Sequence, residues 1–360
     1  DPLESLRPGG PDARLEGNAN GHDGVERIKW TDEALAAAGE GQLPMGDAVE
    51  EWSYGDVEGG LANAALVLDE SFTTASTSHH SMEPRTAMAY WQGGKCFLYG
   101  SSQSQSFVVP GLASYIGIPP EDLVFIGEYC GGGFGSKASA YPLMTIPAHM
   151  SKKVGRPVMM RISRAEENYV GFARSGFQGR LRMGFRADGR LQAVDLYIVQ
   201  DNGPNAGFHD ADAAADAVSL LYTPQAMRYR GIQIYTNTPP RSAQRGPGQN
   251  QMACAIEPLI DKAARELGID RVAIRRINAP DSDSPIGGDR SPVTSAYMRE
   301  ALDLGATRFD WQARLARSGV RNGSKVRSVG VGQAFHPAGN SGLDGLVRLT
   351  PDGILHIHTG

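Results

Sequence analysis

Cysteine is scarce: Cys96, Cys130 and Cys254 are the only three in 360 residues, and none forms a Cys-x-x-Cys pair. That excludes a disulfide framework, and it excludes a four-thiolate zinc or iron–sulfur centre carried by this chain alone. Long apolar runs are also missing. No stretch approaches the roughly 18 uninterrupted apolar residues of a membrane span, so no span is expected. Charge of one sign is in short supply: 35 Lys and Arg against 40 Asp and Glu leave −5, which argues against nucleic acid or anionic lipid as a partner. A Gly-x-Ser-x-Gly elbow is absent, so serine hydrolysis has no starting point. The chain opens on Asp1 without an apolar secretory core. This suggests a start inside a longer product or a processed subunit, so targeting is not readable from it; a cytoplasmic location is the separate expectation, with the periplasm also compatible.

Glycine, in contrast, is abundant: 45 of 360 residues, against a typical share of ~7%. Much of it gathers in loops, where backbone must approach something closely or take positive φ. Residues 1–45, rich in Gly, Pro, Asn and Asp, read as a linker or arm, and 46–360 as the body of the protein. Short helices are expected at 31–38 and 60–68, strands at 87–91 and 95–99, a helix at 108–116, and a strand at 123–126 running into a glycine loop. Alternating residues around Ala187-Asp188-Gly189 predict a hairpin of 178–186 with 190–200, and Pro351-Asp352-Gly353 predicts another of 346–349 with 354–358. Helices are expected at 210–221, 256–267 and 294–304. Helices interleaved with antiparallel strands indicate an α+β (mixed α/β) fold.

Three loops carry candidate chemistry. Gly131-Gly-Gly-Phe-Gly-Ser-Lys137 presents bare backbone N–H groups that can cradle an anionic or oxygen-rich ligand, or serves simply as a tight turn. It is not a P-loop, because Lys137 is followed by Ala138, and not a dinucleotide fingerprint, because Ser136 stands where Gly is required. Pro239 to Gln251 contains Gln244, Arg245, Gln249 and Gln251 among glycines and prolines; the arginine fork suits a planar or phosphorylated ligand, and a solvated surface loop is the bland alternative. In Ser101-Ser102-Gln103, Ser102 suits a helix cap and Gln103 could donate to an oxo or carbonyl ligand. The adjacent His79 and His80, and His356 with His358, lack a metal-ligand pattern and read as ordinary polar or core residues.

Together with Ser81-Met82-Glu83-Pro84, these loops occur in an order and spacing that resembles the molybdopterin-binding large subunit of the xanthine dehydrogenase/aldehyde oxidase family, the molybdenum hydroxylases. That family's pattern is Met-Glu-Pro, Ser-Thr-Gln, Gly-Gly-Gly-Phe-Gly-Gly-Lys and Arg-Gly-Phe/Pro-Gly. The resemblance implies that Gln103 hydrogen-bonds an oxo ligand of molybdenum, that Gly132, Gly133, Phe134 and Gly135 hold the pterin and the metal's oxygens, and that Arg245 and Gly246 lie beside the cofactor. No residue of this chain would ligate the metal directly. Ala138 and Pro247 replace the Glu and Phe that clamp purines in xanthine-type enzymes and would line the substrate pocket. The copper loop of carbon monoxide dehydrogenases has no counterpart at 246–249.

The family's catalytic glutamate lies near the C-terminus of the large subunit and is not expected before Gly360; Glu257 precedes Pro258 at an expected helix start. The resemblance therefore implies an N-terminal part of the cofactor-binding region, incomplete at its C-terminus. The implied activity is water-derived hydroxylation of an electron-poor carbon, with molybdopterin in its cytosine dinucleotide form. Implied partners are a [2Fe-2S] subunit, an FAD subunit, a further large-subunit segment carrying the glutamate, and a small-molecule substrate. A non-redox hydratase on the same fold and a cofactor-free scaffold subunit are the alternatives.

Overall fold

The computed structural model describes residues 1–336 and 345–359. It divides into two compact units. Unit 1 holds 1–76, 175–238 and 246–336; unit 2 holds 77–174, 239–245 and the described part of 337–360. The fold is the mixed α+β type expected, but the body expected at 46–360 is shared between the two units. Within that span, residues 337–344 and Gly360 lie outside the described residues.

Unit 1 is built on a seven-stranded sheet, in the order Gly24–Glu26, Ala19–Gly21, Ala226–Tyr235, Leu191–Gly203, Phe177–Phe185 and Leu66–Thr74, with Glu50–Tyr54 also on Ala226–Tyr235. Its centre is the expected hairpin. Gly189 takes φ +86° at the turn, and its N–H donates to Arg186 O, so alternating side chains fall on opposite faces of Phe177–Phe185 and Leu191–Gly203. Leu191–Gly203 and Ala226–Tyr235 run parallel, joined by a crossover through the helix Asp210–Leu221. That helix and Gln249–Glu266 cover one face, where Val218, Met252, Ile256 and Ile260 pack with Leu181, Leu196 and Met227. Each such buried side chain contributes about 1.5–3 kcal/mol relative to exposure.

Three sequence expectations change here. Residues 1–45 are folded into unit 1: Ala19–Gly21 pairs with Ala226–Tyr235, and Leu6, Trp30 and Leu43 are buried, Trp30 donating its indole N–H to Tyr197 OH at 3.1 Å. Composition concealed this because a few apolar anchors suffice to hold an irregular segment. The helix expected at 60–68 is Val57–Ala62, and the chain continues as the strand Leu66–Thr74 because Leu66 to Thr74 find partners along Phe177–Phe185. Pro258 lies inside Gln249–Glu266 and not at its start; the buried stripe Met252, Ile256, Ile260 outweighs one missing backbone bond.

Unit 2 carries a four-stranded sheet, in the order Leu123–Ile126, Lys95–Gly100, Thr86–Gln92, Val158–Arg161. The helices Gln105–Ile116 and Thr145–Val154 cover one face, burying Val108, Leu112 and Ala148 with Ala87, Ala89, Cys96 and Leu98. The hairpin Gly345–Leu349 with Leu355–Thr359 forms as expected. The first of these strands, Leu123–Ile126, leads into the glycine loop, so the sheet and its helices form the support on which that loop is mounted.

Candidate functional site

The glycine loop, Gln103 and Ala243 to Arg245 all belong to unit 2, and they meet. Gln103 Oε1 accepts the N–H of Gly135 at 2.7 Å and of Lys137 at 3.2 Å. Its own N–H donates to Lys137 O at 3.0 Å. Only the amide oxygen can accept two donors, so the NH2 group is turned away from the loop. It has no partner among the described residues, and the side chain is exposed. Gln103 is therefore not a helix cap. The helix begins after Ser104, whose N–H donates to Ser102 Oγ at 3.0 Å.

On its other side the loop is zipped to the second motif. The N–H of Arg245 donates to Phe134 O at 2.9 Å, and this holds Phe134 at φ +55°, a left-handed conformation uncommon for a bulky residue. At two glycines a side chain would meet a neighbour, fixed backbone at Gly135 and the movable Gln103 side chain at Gly133. A Cβ at Gly133 would stand 2.2 Å from Gln103 Oε1, and one at Gly135, where φ is +110°, would stand 1.9 Å from Ala243 O. The space a side chain at Gly133 would fill is thus occupied by Gln103.

Lys137 is fully buried and points into unit 2, where its ammonium donates to Glu83 Oε2 at 3.0 Å and Glu83 O at 2.9 Å. Glu83 also accepts the N–H of Gly131 at 2.7 Å. Burial alone would raise the Glu83 carboxyl; the Gly131 N–H and the Lys137 charge outweigh it and hold the group below the ordinary carboxylate range. Arg85, buried, pairs with Glu167 and donates to Ser136 O. His79 bridges Phe172 O and Ala243 O, each at 2.9 Å; burial depresses its imidazole, and the two carbonyls only partly offset this. Glu83, Arg85 and His79 hold the loop from beneath. Sequence reading gave His79 only an ordinary polar or core place, Glu83 a place in a motif and Arg85 none, because their partners lie 164, 54 and 51 residues away.

What remains unspent is a set of donors. The backbone N–H groups of Gly132, Gly133 and Phe134 have no acceptor among the described residues, whereas those of Gly131 and Gly135 are taken. The Ser81 and Ser136 hydroxyls are buried without a partner. The Arg245 guanidinium is exposed, with no ion pair or hydrogen bond among the described residues. Gln244 is not free: Arg174 Nε donates to its Oε1 at 2.6 Å. Gln249 and Gln251 lie in unit 1, where Gln251 Oε1 accepts the N–H of Gly248 at 3.0 Å and Gln251 Nε2 donates to Asp210. Gly246 and Pro247 also belong to unit 1. Ala138 stays on the loop, its N–H on Gly135 O at 3.2 Å. Consecutive free N–H groups and an outward amide form a cradle of donors, the segment hydrogen-bonded to it carries an unpaired guanidinium, and orphaned hydroxyls fit a ligand that brings acceptors. An anionic, oxygen-rich cofactor matches this set.

Comparisons with known proteins agree with that chemistry. Residues 43–279 match the model of the molybdopterin cofactor-binding domain. The chain is 31% identical over 313 residues to the aldehyde oxidoreductase molybdenum-binding subunit PaoC of Escherichia coli O157:H7, covering 85% of this chain and 41% of the relative. It is 29% identical over 321 residues to the putative xanthine dehydrogenase molybdenum-binding subunit XdhA of Escherichia coli K12, covering 86% and 42%. The aldehyde oxidoreductase of Desulfovibrio gigas shares the fold, with a TM-score of 0.73 at 24% identity over 92% of this chain and 38% of that one. The chain thus spans about two fifths of the length of these relatives.

Proposed function

The chain belongs to the molybdopterin cofactor-binding domain family, and from that premise we propose that it supplies one wall of the cofactor site of a molybdenum hydroxylase. The observation that carries the reading is the donor cradle of unit 2: free N–H groups at Gly132, Gly133 and Phe134, with the Gln103 amide against the same loop and Arg245 joined to it through its backbone N–H. When bound, the molybdenum–pterin group would supply the two-electron oxidation of an electron-poor carbon, the added oxygen coming from water. The roles of this chain's residues are narrower. Gly132, Gly133 and Phe134 hold the group's oxygens by fixed backbone dipoles, Gln103 Nε2 donates to an oxygen where charge develops, and Arg245 balances its negative charge. Ser81 and Ser136 gain acceptors for their hydroxyls. Ala138, small and on the loop, leaves room on the substrate side.

The proton acceptor must come from elsewhere. Glu83 is the carboxylate tied to the loop, and its Oε2 is committed to Lys137 and Gly131. We assign the base to a glutamate on a further segment of the large subunit, and electron transfer to [2Fe-2S] and FAD partner subunits. The pterin is assigned the cytosine dinucleotide form. Purified assembled enzyme should contain molybdenum, iron and flavin, yield cytosine monophosphate on mild hydrolysis, and reduce a dye anaerobically with aldehydes or N-heterocycles. Absence of molybdenum from an intact complex would overturn the reading and leave a scaffold; molybdenum with water addition but no dye reduction would make it a hydratase.

A further inference from the structure

A second cluster lies in unit 1, where the strand Glu50–Tyr54 and the head of the helix Asp210–Leu221 bring Glu50, His209 and Asp212 together. One ligand atom from each lies within 4.8 Å of the others. His209 Nδ1 stands 3.3 Å from Asp212 Oδ2, about the 3.3 Å separating neighbouring ligands around a tetrahedral ion with bonds of about 2.0–2.1 Å.

The hydrogen bonds around the cluster show why a cation belongs there. Gln233 is buried; its Oε1 accepts from Asn20 Nδ2 at 3.2 Å, so its amide NH2 is the group that faces His209 Nδ1 at 2.7 Å. Nδ1 is then an acceptor and carries no proton. It cannot donate to Asp212, so no hydrogen bond joins the ring to the carboxylate oxygen 3.3 Å away, and the Nδ1 lone pair is held by Gln233. Asp212 is fixed from behind: the fully buried Tyr229 donates its hydroxyl to Oδ1 at 2.7 Å, leaving Oδ2 on the histidine side. This is the arrangement by which outer partners orient metal-binding side chains.

The surrounding charge points the same way. Asp216 and Asp289 stand close by, each within 3.3 Å of the position a Gly287 Cβ would take. Among the described residues no lysine or arginine pairs with Glu50, Asp212, Asp216 or Asp289; the only bridging groups are His22, 3.6 Å from Glu50, and His209. Four carboxylates share one region without a basic counter-ion. The Asp216 carboxyl, pushed up to about 6 by burial and then by Asp212 and Asp289, senses that field.

We propose that Glu50, His209 and Asp212 form a divalent-cation site that ties the strand Glu50–Tyr54 to the helix Asp210–Leu221. One imidazole with two carboxylates selects a borderline ion such as Zn2+ over Mg2+ or Ca2+, which favour all-oxygen sets. The ion takes the place of the Gln233 amide at Nδ1, and its role is to fasten the head of the helix to that strand of the sheet.

The test is titration of the full chain with Zn2+ alone, by calorimetry and by competition with a chromophoric chelator, on wild type, His209→Ala and Asp212→Asn. Asp212→Asn keeps the oxygen that Tyr229 needs, so folding is preserved and its thermal midpoint in chelator should match wild type. The expected result is one equivalent bound by wild type with a raised thermal midpoint, and affinity at least ~10–100-fold lower in both variants. No stoichiometric binding by wild type, or unchanged affinity in the two variants, overturns the site. So does binding that survives in them but disappears in a His356→Ala, His358→Ala double variant.

Discussion

The side-chain oxygen of Gln103 stands 2.7 Å from the backbone nitrogen of Gly135, across 32 residues of sequence. This residue, expected from its motif to donate to a cofactor, is first an acceptor that fixes the glycine loop. The two roles are compatible because they use opposite ends of one amide: satisfying Gly135 and Lys137 with oxygen forces the NH2 group outward.

The two ends can be separated by substitution. Gln103→Ala removes both, and should cost about 1–2 kcal/mol through the N–H groups of Gly135 and Lys137, with loss of molybdenum. Gln103→Glu retains the acceptor and removes the donor. Its thermal midpoint should stay near wild type while turnover per molybdenum falls ~10–1,000-fold. A normal metal-normalised rate in Gln103→Glu would take the residue out of the reaction.

Glu83 and Lys137 make the loop sensitive to acid. The folded carboxyl titrates below its unfolded value of about 4.3, so its stabilisation is present in full above that value and is lost as pH falls through the lower, folded one. Glu83→Gln should be about 1–3 kcal/mol less stable than wild type at pH 7, since the buried Lys137 ammonium loses its counter-charge and keeps only neutral acceptors. The gap should close towards pH 3 in urea unfolding. A gap that stays constant between pH 7 and pH 3 would show that the pair carries none of the acid sensitivity.

Two glycines at positive φ distinguish conformational strain from contact. Gly155, at φ +64° with nothing within 4 Å of its would-be Cβ, should cost about 1 kcal/mol on change to Ala. Gly135→Ala adds a clash with Ala243 O and should cost about 2–4 kcal/mol, with separation of the loop from Arg245. Denaturant midpoints of both variants measure this; equal losses would mean that the loop and the 243–245 segment are not packed as described.

Arg245 offers the reverse case. Its guanidinium is exposed and unpaired among the described residues, so Arg245→Ala should change stability by less than about 0.5 kcal/mol. Molybdenum content of the assembled enzyme should nevertheless drop. Full metal occupancy in that variant would separate Arg245 from the cofactor.

The sequence by itself determined whatever is decided within a few residues. Asp188-Gly189 and Asp352-Gly353 placed both hairpins, because turn chemistry and period-two alternation act locally. The run Gly131–Lys137 announced a backbone cradle for the same reason, and the helix Asp210–Leu221 was readable from its composition. Where local preference was ambiguous, packing chose: Leu66–Leu68 became strand because Phe177–Phe185 offers a ladder to join, and Pro258 stayed in a helix whose apolar stripe is buried. Which donors of the cradle remain free was beyond the sequence altogether. Gly135 is spent on Gln103 and Lys137 on Glu83, while Gly132 to Phe134 are not. Those pairings join residues 32 and 54 positions apart, and a hydrogen bond over that separation exists only once the folded chain has brought its two ends together.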